Sequence, residues 1–496
     1  MSTLEMRRVG SDSRYVLQLL RRLFQGRLLR HLFRIAVSLF LLPLDNSIFV
    51  AALALEYASL FFPAFRSIHH RQEILRDLRF HPKTILITGV DTPHGLHIAR
   101  CFYHEGHRVV GADITTTNFP SGGGLSKALV AYYRVPKAQY VPRLLDIVSR
   151  EKVDIWIPCS QATSVIEDGM AKQAIEDRTG CKCITLDTDL AIQWSQLDSF
   201  IQYLSEKDLP VVENHHIQSR DSIHRILHRS PTKAFHIRSG TPAIHKGDII
   251  LPKRTLSLTY AEVSRMQVSK DTPWLMQQHA RLGDFIAELL VMQGHVIAIT
   301  VHPASRESEW GRSPLNEGLT AAIRRLMDRF ASKCGARLIG HFTLRLMVDE
   351  ELTLNSVRYD VHIAGCTQGA AVTSHLLWDT PPESLVSGYL AILSEDIVPE
   401  TSLNVFARQT MTSTAVTLPR PPSVYQAIRK VNVRCVLPAL FPVAQQVDWA
   451  FGEATKLLLF WEDWRFSAID PLPWWWHTHV HSPLRELDLM LHSDNN

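Results

Sequence analysis

What the chain lacks narrows its chemistry first. Its 496 residues carry little net charge: 53 Lys and Arg against 49 Asp and Glu leave +4, so nothing demands a nucleic-acid partner. Cysteine is scarce. The seven (Cys101, Cys159, Cys181, Cys183, Cys334, Cys366, Cys435) are odd in number and scattered, which favours a reducing compartment over a disulfide framework. Cys181-Lys-Cys183 alone is too little for a zinc site. There are no internal repeats and no low-complexity segments. What is present is ordinary for a folded, mostly soluble protein, with 46% hydrophobic and 21% charged residues. The length exceeds what one core serves and implies two to four domains.

Residues 15–34 depart from this average. Arg21, Arg22, Arg27, Arg30 and Arg34 lie among leucines, spaced as in a basic amphipathic helix. An apolar stretch follows from Ile35 to Phe65. Pro43, Asp45 and Asn46 interrupt it, leaving one short arm and one of about the length that spans a bilayer. Glu56 sits inside the longer arm, and Arg66 and Arg71 follow, so basic flanks on both sides blur the orientation. A membrane anchor, as hairpin or single span, and a buried core hairpin both fit. A cleaved signal peptide fits poorly, because the apolar stretch starts late and is too long. The cysteines fit a membrane-associated chain with its bulk in the cytosol.

From Lys83 the pattern is α/β. KTILITGV, HRVVGAD and VDIWIPC read as buried strands, with CKCITLD after them. Helices are expected over Leu96–Gly106, Pro142–Arg150 and Ile166–Arg178. Such alternation means a parallel sheet. Asp198–Lys207 reads as a further helix, followed by the extended run DLPVVEN. From about residue 231 the signals turn antiparallel, in KAFHIRSG, DIILPKR, PWLMQQHA, DFIAELLVMQG and HVIAITVHPA. Leu319–Cys334 is an amphipathic helix. His341–Ala364 then reads as two strands joined by an acidic turn, Asp349-Glu350-Glu351. Phe342, Leu344, Leu346 and Val348 alternate with Thr343, Arg345 and Met347. Val357, Tyr359, Val361 and Ile363 alternate with Ser356, Arg358, Asp360 and His362. Beyond Pro381 the pattern is weak, with a proline-rich linker or loop at 418–423.

Several motifs have a sharp and a bland reading. Thr88–Gly95 lies between a strand and a helix, where backbone N–H groups favour phosphate, and Asp113 could hold a ribose hydroxyl. The turn lacks close G-x-G-x-x-G spacing, which favours a Rossmann-like domain that binds no cofactor itself. Tyr133-x-x-x-Lys137 suggests a dehydrogenase dyad, but Pro136 breaks the helix it needs. His477-x-His479-x-His481 would project three imidazoles from one face of a strand, a zinc constellation, or form a solvated tip. Trp474–Trp476 suits a membrane interface, core packing or a docking surface. His97 and His104 share a helix face, but two turns separate them by roughly 10 Å, too far for one metal.

Here the chain resembles a family. ILITG…LHIARCFYHEGHRVVGAD with VPRLL…EKVDIWIPC looks like the pre-ATP-grasp domain of ATP-grasp ligases. PWLMQQHARLGDFIAELLVMQGHVIAI resembles their adenine hinge, and GHFTLRLMV…LTLNSVRYDVHIA their last metal-binding strands. WEDWRFSAIDPLPWWW is similar to a segment of fungal ATP-grasp proteins of secondary metabolism, which are carbamoyl-phosphate-synthase-like. The resemblance implies an α/β chain in four parts. These are a membrane-associating segment (1–80), a Rossmann-like pre-ATP-grasp domain (81–195), a two-lobed α+β ATP-grasp domain (196–385) and a C-terminal extension (386–496).

It also implies an activity. Such ligases use ATP and Mg²⁺ to turn a carboxylate into an acyl phosphate that an amine attacks, and the metal needs hard oxygen ligands. Small, amino-acid-like carboxylate and amine substrates follow. On the family's pattern Gln277 and Asp284 fall where adenosine is held, with Glu288 an acid nearby. Arg238, Arg345 and Arg358 fall where phosphate and metal are handled, and His362 and Ala364 match. The departures are concentrated here. Arg345 replaces an acid, Ser356 a Glu, Arg358 an Asn, Tyr359 a Pro and Asp360 an Arg. Ser199 replaces a lysine and Gln278 a Glu. Arginine cannot ligate Mg²⁺ but binds phosphate or carboxylate directly. A one-residue shift of register leaves Asp360 or Glu351 as a ligand on one side only. Two outcomes stay open: a ligase with an altered site, or a non-catalytic, membrane-associated scaffold for a partner enzyme or anionic metabolite.

Overall fold

The computed structural model describes residues 27–59, 66–114, 121–230, 233–239, 249–266, 268, 274–279, 282–304, 317–353, 356–393 and 463–492. The proline-rich 418–423, the first part of the basic stretch, and the side chains of Arg238 and Ser356 lie outside the described residues. The chain divides into two compact units, Met1–Tyr140 with Gln409–Asn496, and Val141–Arg408.

The first unit carries three parallel strands, β1 (Thr84–Thr88), β2 (Arg108–Ile114) and β3 (Leu129–Val135), in the order β3-β2-β1. Ile85, Leu86, Ile87, Val109 and Val110 are fully buried, as contiguous apolar runs of a parallel sheet require. The helix expected over Leu96–Gly106 runs instead over Pro93–His104, starting three residues earlier. Thr92 caps it by accepting from the Gly95 N–H at 3.1 Å, and Pro93 fills the first turn. Tyr133 lies on β3 and Lys137 in a short 3₁₀ turn, Lys137–Gln139, so they share no helix.

Arg27–Ser59 is one continuous helix, not two arms; Pro43, Asp45 and Asn46 do not interrupt it. The physical reason lies in the last described stretch of the unit. There the short Leu472–Trp476 helix passes through a π-helical turn, His477–His481, into the Ser482–His492 helix. Asp45 pairs with His479 Nε2 at 2.9 Å, each side chain 2% exposed. Trp475 Nε1 donates to Asn46 Oδ1 at 2.8 Å, Ser38 Oγ to the Thr478 carbonyl at 2.8 Å, and Arg34 pairs with Glu486 at 2.8 Å. Ser38 and Asp45 thus lie on the inward face of a packed helix pair, with Asn46 exposed at its edge. His477, His479 and His481 belong to a helical turn, not a strand. His479 turns to Asp45 while His477 and His481 stack on each other, so the three imidazoles do not converge.

Asp470, from the DPLP segment, ties the same stretch to the parallel sheet's surroundings. It accepts from Arg100 Nε at 3.0 Å, Ser126 Oγ at 2.6 Å and the Lys127 N–H at 3.1 Å, and Trp474 beside it is buried.

The second unit begins in the Tyr140–Glu151 helix, followed by a short parallel pair, β4 (Ile155–Pro158) and β5 (Lys182–Cys183), and the Val165–Glu176 helix, whose start carries a Ser164/Glu167 capping box. Two four-stranded antiparallel sheets follow. The first is built from β6 (Asn214–Ile217), β7 (Ala234–Ser239), β8 (Ile249–Leu251) and β9 (Trp274–His279) in the order β6-β9-β7-β8. The second uses β10 (Gly283–Met292), β11 (His295–Pro303), β12 (Gly340–Thr353) and β13 (Ser356–Gln368) in the order β11-β10-β12-β13. On one face of this sheet Phe285, Leu289, Phe342, Leu344, Leu346 and Ile363 meet Ile323, Met327 and Phe330 of the Glu317–Cys334 helix.

The expected acidic turn is absent. β12 continues through Asp349, Glu350 and Glu351 to Thr353, and β13 pairs with it along its length, from Thr353↔Ser356 to Phe342↔Gln368. Cross-strand pairing overrides the low strand propensity of acidic residues.

Candidate functional site

The site-bearing surface is the face of the β10–β13 sheet opposite that core. Alternation places Asp284 and Glu288 of β10, Arg345, Met347 and Asp349 of β12, and Asp360 and His362 of β13 on it. A register shift between Arg345 and Leu346 marks a bulge, a device that re-aims side chains. Beside it Arg345 bonds Asp284 through Nε at 3.0 Å and through its terminal nitrogen, the diagonal neighbour across β10 and β12. Both side chains remain partly exposed, at 33% and 26%.

The continuation of β12 changes which oxygen ligands are present. Asp349 stands directly opposite Asp360, in the next pair but one from Arg345 along the face, and Glu351 opposite Arg358. Opposed residues of antiparallel strands hold their Cβ atoms about 5 Å apart, within reach of one cation for two carboxylates. His362 lies beside Asp360, its Nε2 3.8 Å from the Asp360 carboxylate. Arg358 is exposed. Hard oxygen donors on adjacent strands therefore exist on this face. Arg345, the residue whose charge most opposes a metal, is already compensated by Asp284.

One segment links this face to the other sheet. Val212 N–H donates to the Ile363 carbonyl at 3.0 Å and Ile363 N–H to the Pro210 carbonyl at 2.9 Å. A few residues on, Asn214 pairs with Gln277 of β9, and Gln278 N–H donates to the Glu213 carbonyl at 3.0 Å. Val212 packs with Met347 and Ala364 between the two. Buried Gln277 thus pairs with Asn214, three residues along the chain from the Val211–Ile363 bridge. Arg238 lies on the neighbouring β7, opposite Leu275. Of the residues singled out by sequence, the fold brings Asp284, Glu288, Arg345 and His362 to one sheet face, and Gln277 to the strand that adjoins it.

Glu288 is not a bystander. Its carboxylate receives His302, His375 and the Leu376 N–H. Burial opposes its ionisation, but these three neighbours outweigh burial and hold its carboxyl below the ordinary value. His302 shares the parity of Thr300 on β11, so alternation could have found it; nothing in the sequence points to His375.

The glycine turn of the first unit is filled by protein. Asp91 accepts from the Gly123 N–H at 3.0 Å, and a Cβ on Gly123 would fall 2.5 Å from the Val90 carbonyl oxygen. Asp113 accepts from Asp91 N–H at 3.3 Å and from Ser121 and Tyr132 hydroxyls at 3.1 Å each. Burial and the Asp91 carboxylate push Asp113 up to about 7. It is an internal bracket between β2, Ser121 and β3.

No family model and no curated protein matches the sequence. Among solved structures the chain is similar to the biotin carboxylase subunit of pyruvate carboxylase (TM-score 0.45, 12% identity, 63% of this chain and 70% of that one). It is also similar to L-amino acid ligase from Bacillus licheniformis (0.40, 14%, 63% and 75%). A third is N5-carboxyaminoimidazole synthetase from Staphylococcus aureus (0.37, 11%, 59% and 72%). At such identities and scores, function has to be argued from the residues themselves.

Proposed function

We propose that residues 196–385 bind ATP and join a small carboxylate to an amine, in the manner of the ATP-grasp ligases that the sequence resembles, with residues 81–195 as the Rossmann-like domain preceding them. The observation that carries this reading is the opposition of Asp349 and Asp360 on the sheet face that also bears Arg345 and His362. In the reaction a carboxylate oxygen attacks the terminal phosphorus of ATP, ADP leaves, and the amine displaces phosphate from the acyl phosphate. Gln277 would contact adenosine, Arg238 and Arg358 would hold phosphate oxygens, and Asp349 and Asp360 would hold Mg²⁺, with His362 as a neighbouring donor. Mg²⁺ held there would supply charge neutralisation for the transferring phosphoryl group. Asp284 reaches ribose only by releasing Arg345, whose guanidinium is then free to take phosphate.

The ion pair between Arg345 and Asp284 also favours a second reading. If it persists, the site binds an anionic ligand without turnover, and the chain serves as a scaffold for a partner enzyme of the same pathway. A role in fungal secondary metabolism rests on the WEDWRFSAIDPLPWWW resemblance.

Membrane association rests on the Arg27–Ser59 helix. Its Leu32–Ala54 portion has a mean hydropathy of 1.9, long and apolar enough by length and composition to cross a bilayer. Leu39, Phe40, Val50 and Tyr57 are 62–82% exposed, while Ser38 and Asp45 are buried, an arrangement that suits lipid. The bulk of the chain then lies in the cytosol.

Thermal shift with Mg-ATP, Mg-AMP-PNP and ATP plus EDTA tests the nucleotide reading, since ligand binding stabilises the native state. A shift that needs Mg²⁺ supports the ligase site, a metal-independent shift supports the scaffold reading, and no shift in any condition removes the nucleotide reading.

A further inference from the structure

Three side chains from separate elements converge in the second unit. Glu288 comes from β10, His302 from β11 and His375 from the Ser374–Asp379 helix. His302 Nε2 lies 3.3 Å from Glu288 Oε1, and His375 Nδ1 lies 3.0 Å from the same oxygen. The other carboxylate oxygen accepts from the Leu376 N–H at 2.8 Å, which fixes the Glu288 side chain. The imidazole centroids are 4.2 Å apart, and the three ligand atoms all lie within 4.8 Å of one another.

The tautomer of His302 makes this more than a polar cluster. Its Nδ1 is 3.2 Å from the Pro303 carbonyl oxygen, which can only accept, so Nδ1 carries a hydrogen. In the neutral ring Nε2 then turns a lone pair toward a carboxylate oxygen, an arrangement that needs a positive charge between them. A proton supplies it, or a metal ion does. A ligating histidine that donates its second N–H to a backbone carbonyl is the usual outer arrangement of metal sites. Spacing favours the metal. Four-coordinate zinc with bonds of 2.0–2.1 Å sets its ligand atoms about 3.3 Å apart. The two separations here are 3.3 and 3.0 Å.

We propose that Glu288, His302 and His375 bind a zinc-class divalent ion, with a fourth position left for water or an anionic ligand. Two imidazoles and one carboxylate suit such an ion better than Mg²⁺, which prefers oxygen. The site is distinct from the Asp349–Asp360 pair and does not rest on the nucleotide reading.

The test is titration of the EDTA-treated, nucleotide-free full chain with Co²⁺, read by the visible bands of four-coordinate cobalt and by displacement with Zn²⁺. The expected result is one equivalent of strongly absorbing Co²⁺, lost in His375→Gln and in Glu288→Gln with affinity falling by about 100-fold or more, beyond the 10–100-fold typical of outer partners. His375 is half-exposed, so its variant tests the site without disturbing the core; melting in EDTA checks this. Equal Co²⁺ affinity and stoichiometry in the wild type and His375→Gln, or no tight equivalent in the wild type, overturns the proposal and leaves a hydrogen-bonded cluster of two histidines on Glu288. Because no nucleotide is present, either outcome leaves the ATP reading to its own test.

Discussion

Asp349 on β12 stands opposite Asp360 on β13, two carboxylates facing each other on the sheet face that carries Arg345. Opposed like charges destabilise a strand pair unless something positive lies between them. In metal-free buffer, Asp349→Asn or Asp360→Asn is expected to stabilise the chain by about 0.2–1 kcal/mol, measured by urea unfolding. With excess Mg²⁺ the ordering is expected to reverse. A variant that remains the more stable in Mg²⁺ counts against metal binding at this pair.

Arg345 and Asp284 offer a second check. Their pair is partly exposed, so a double-mutant cycle with Arg345→Gln and Asp284→Asn is expected to give a coupling of about 1 kcal/mol or less. If Arg345 also takes phosphate, Arg345→Gln weakens AMP-PNP binding by about tenfold, the loss of one charge-assisted hydrogen bond. Unchanged AMP-PNP affinity would confine Arg345 to a structural role.

Asp113 gives the first unit a pH signature. Burial and Asp91 raise its folded value to about 7, above the unfolded value near 4. The protonated form is therefore favoured by folding. Its contribution is fully present below about pH 4 and is lost as pH rises through about 7, at up to about 1.4 kcal/mol per unit. Asp113→Asn is expected to flatten the fall in stability between pH 5 and 8 relative to the wild type. Parallel profiles for the two proteins would place the ionisation elsewhere.

The Asp45–His479 pair is almost fully buried. Removing either partner alone, as Asp45→Leu or His479→Leu, is expected to cost about 3–5 kcal/mol, and changing both to recover most of it. On the opposite side of the helix, Leu39→Gln with Phe40→Gln and Val50→Gln is expected to abolish flotation with lipid vesicles while leaving the melting temperature unchanged. Retained flotation would assign the membrane contact to another surface.

The sequence made some of this legible and hid the rest for identifiable reasons. Contiguous runs such as Ile85–Ile87 announce buried parallel strands, and the helix after them is legible, though its start at Pro93 falls three residues before the expected one. Asp349-Glu350-Glu351 read as a turn because acidic residues favour turns locally. Pairing with Tyr359, Asp360 and Arg358 keeps them in a strand, and that moved a carboxylate onto the site. Pro43, Asp45 and Asn46 read as an interruption because the partners that satisfy Asp45 and Asn46 lie more than 400 residues away, His479 being 434 residues from Asp45. Gln277, Asp284, Arg345 and His362 could be named from resemblance. The link between Gln277 and the β13 face could not, since it runs through backbone bonds of Pro210–Val212. The Glu288 cluster draws on β10, β11 and a short helix, with spacings no sequence pattern reads.

The most direct test of the central reading is the thermal shift of the wild type and Asp349→Asn/Asp360→Asn with AMP-PNP, with and without Mg²⁺. At ligand 100-fold above its dissociation constant the stabilisation is about 2.7 kcal/mol. The expected result is a Mg²⁺-dependent shift in the wild type that the double variant lacks. An equal shift in both proteins, or none in the wild type, would contradict a metal–nucleotide site on this face.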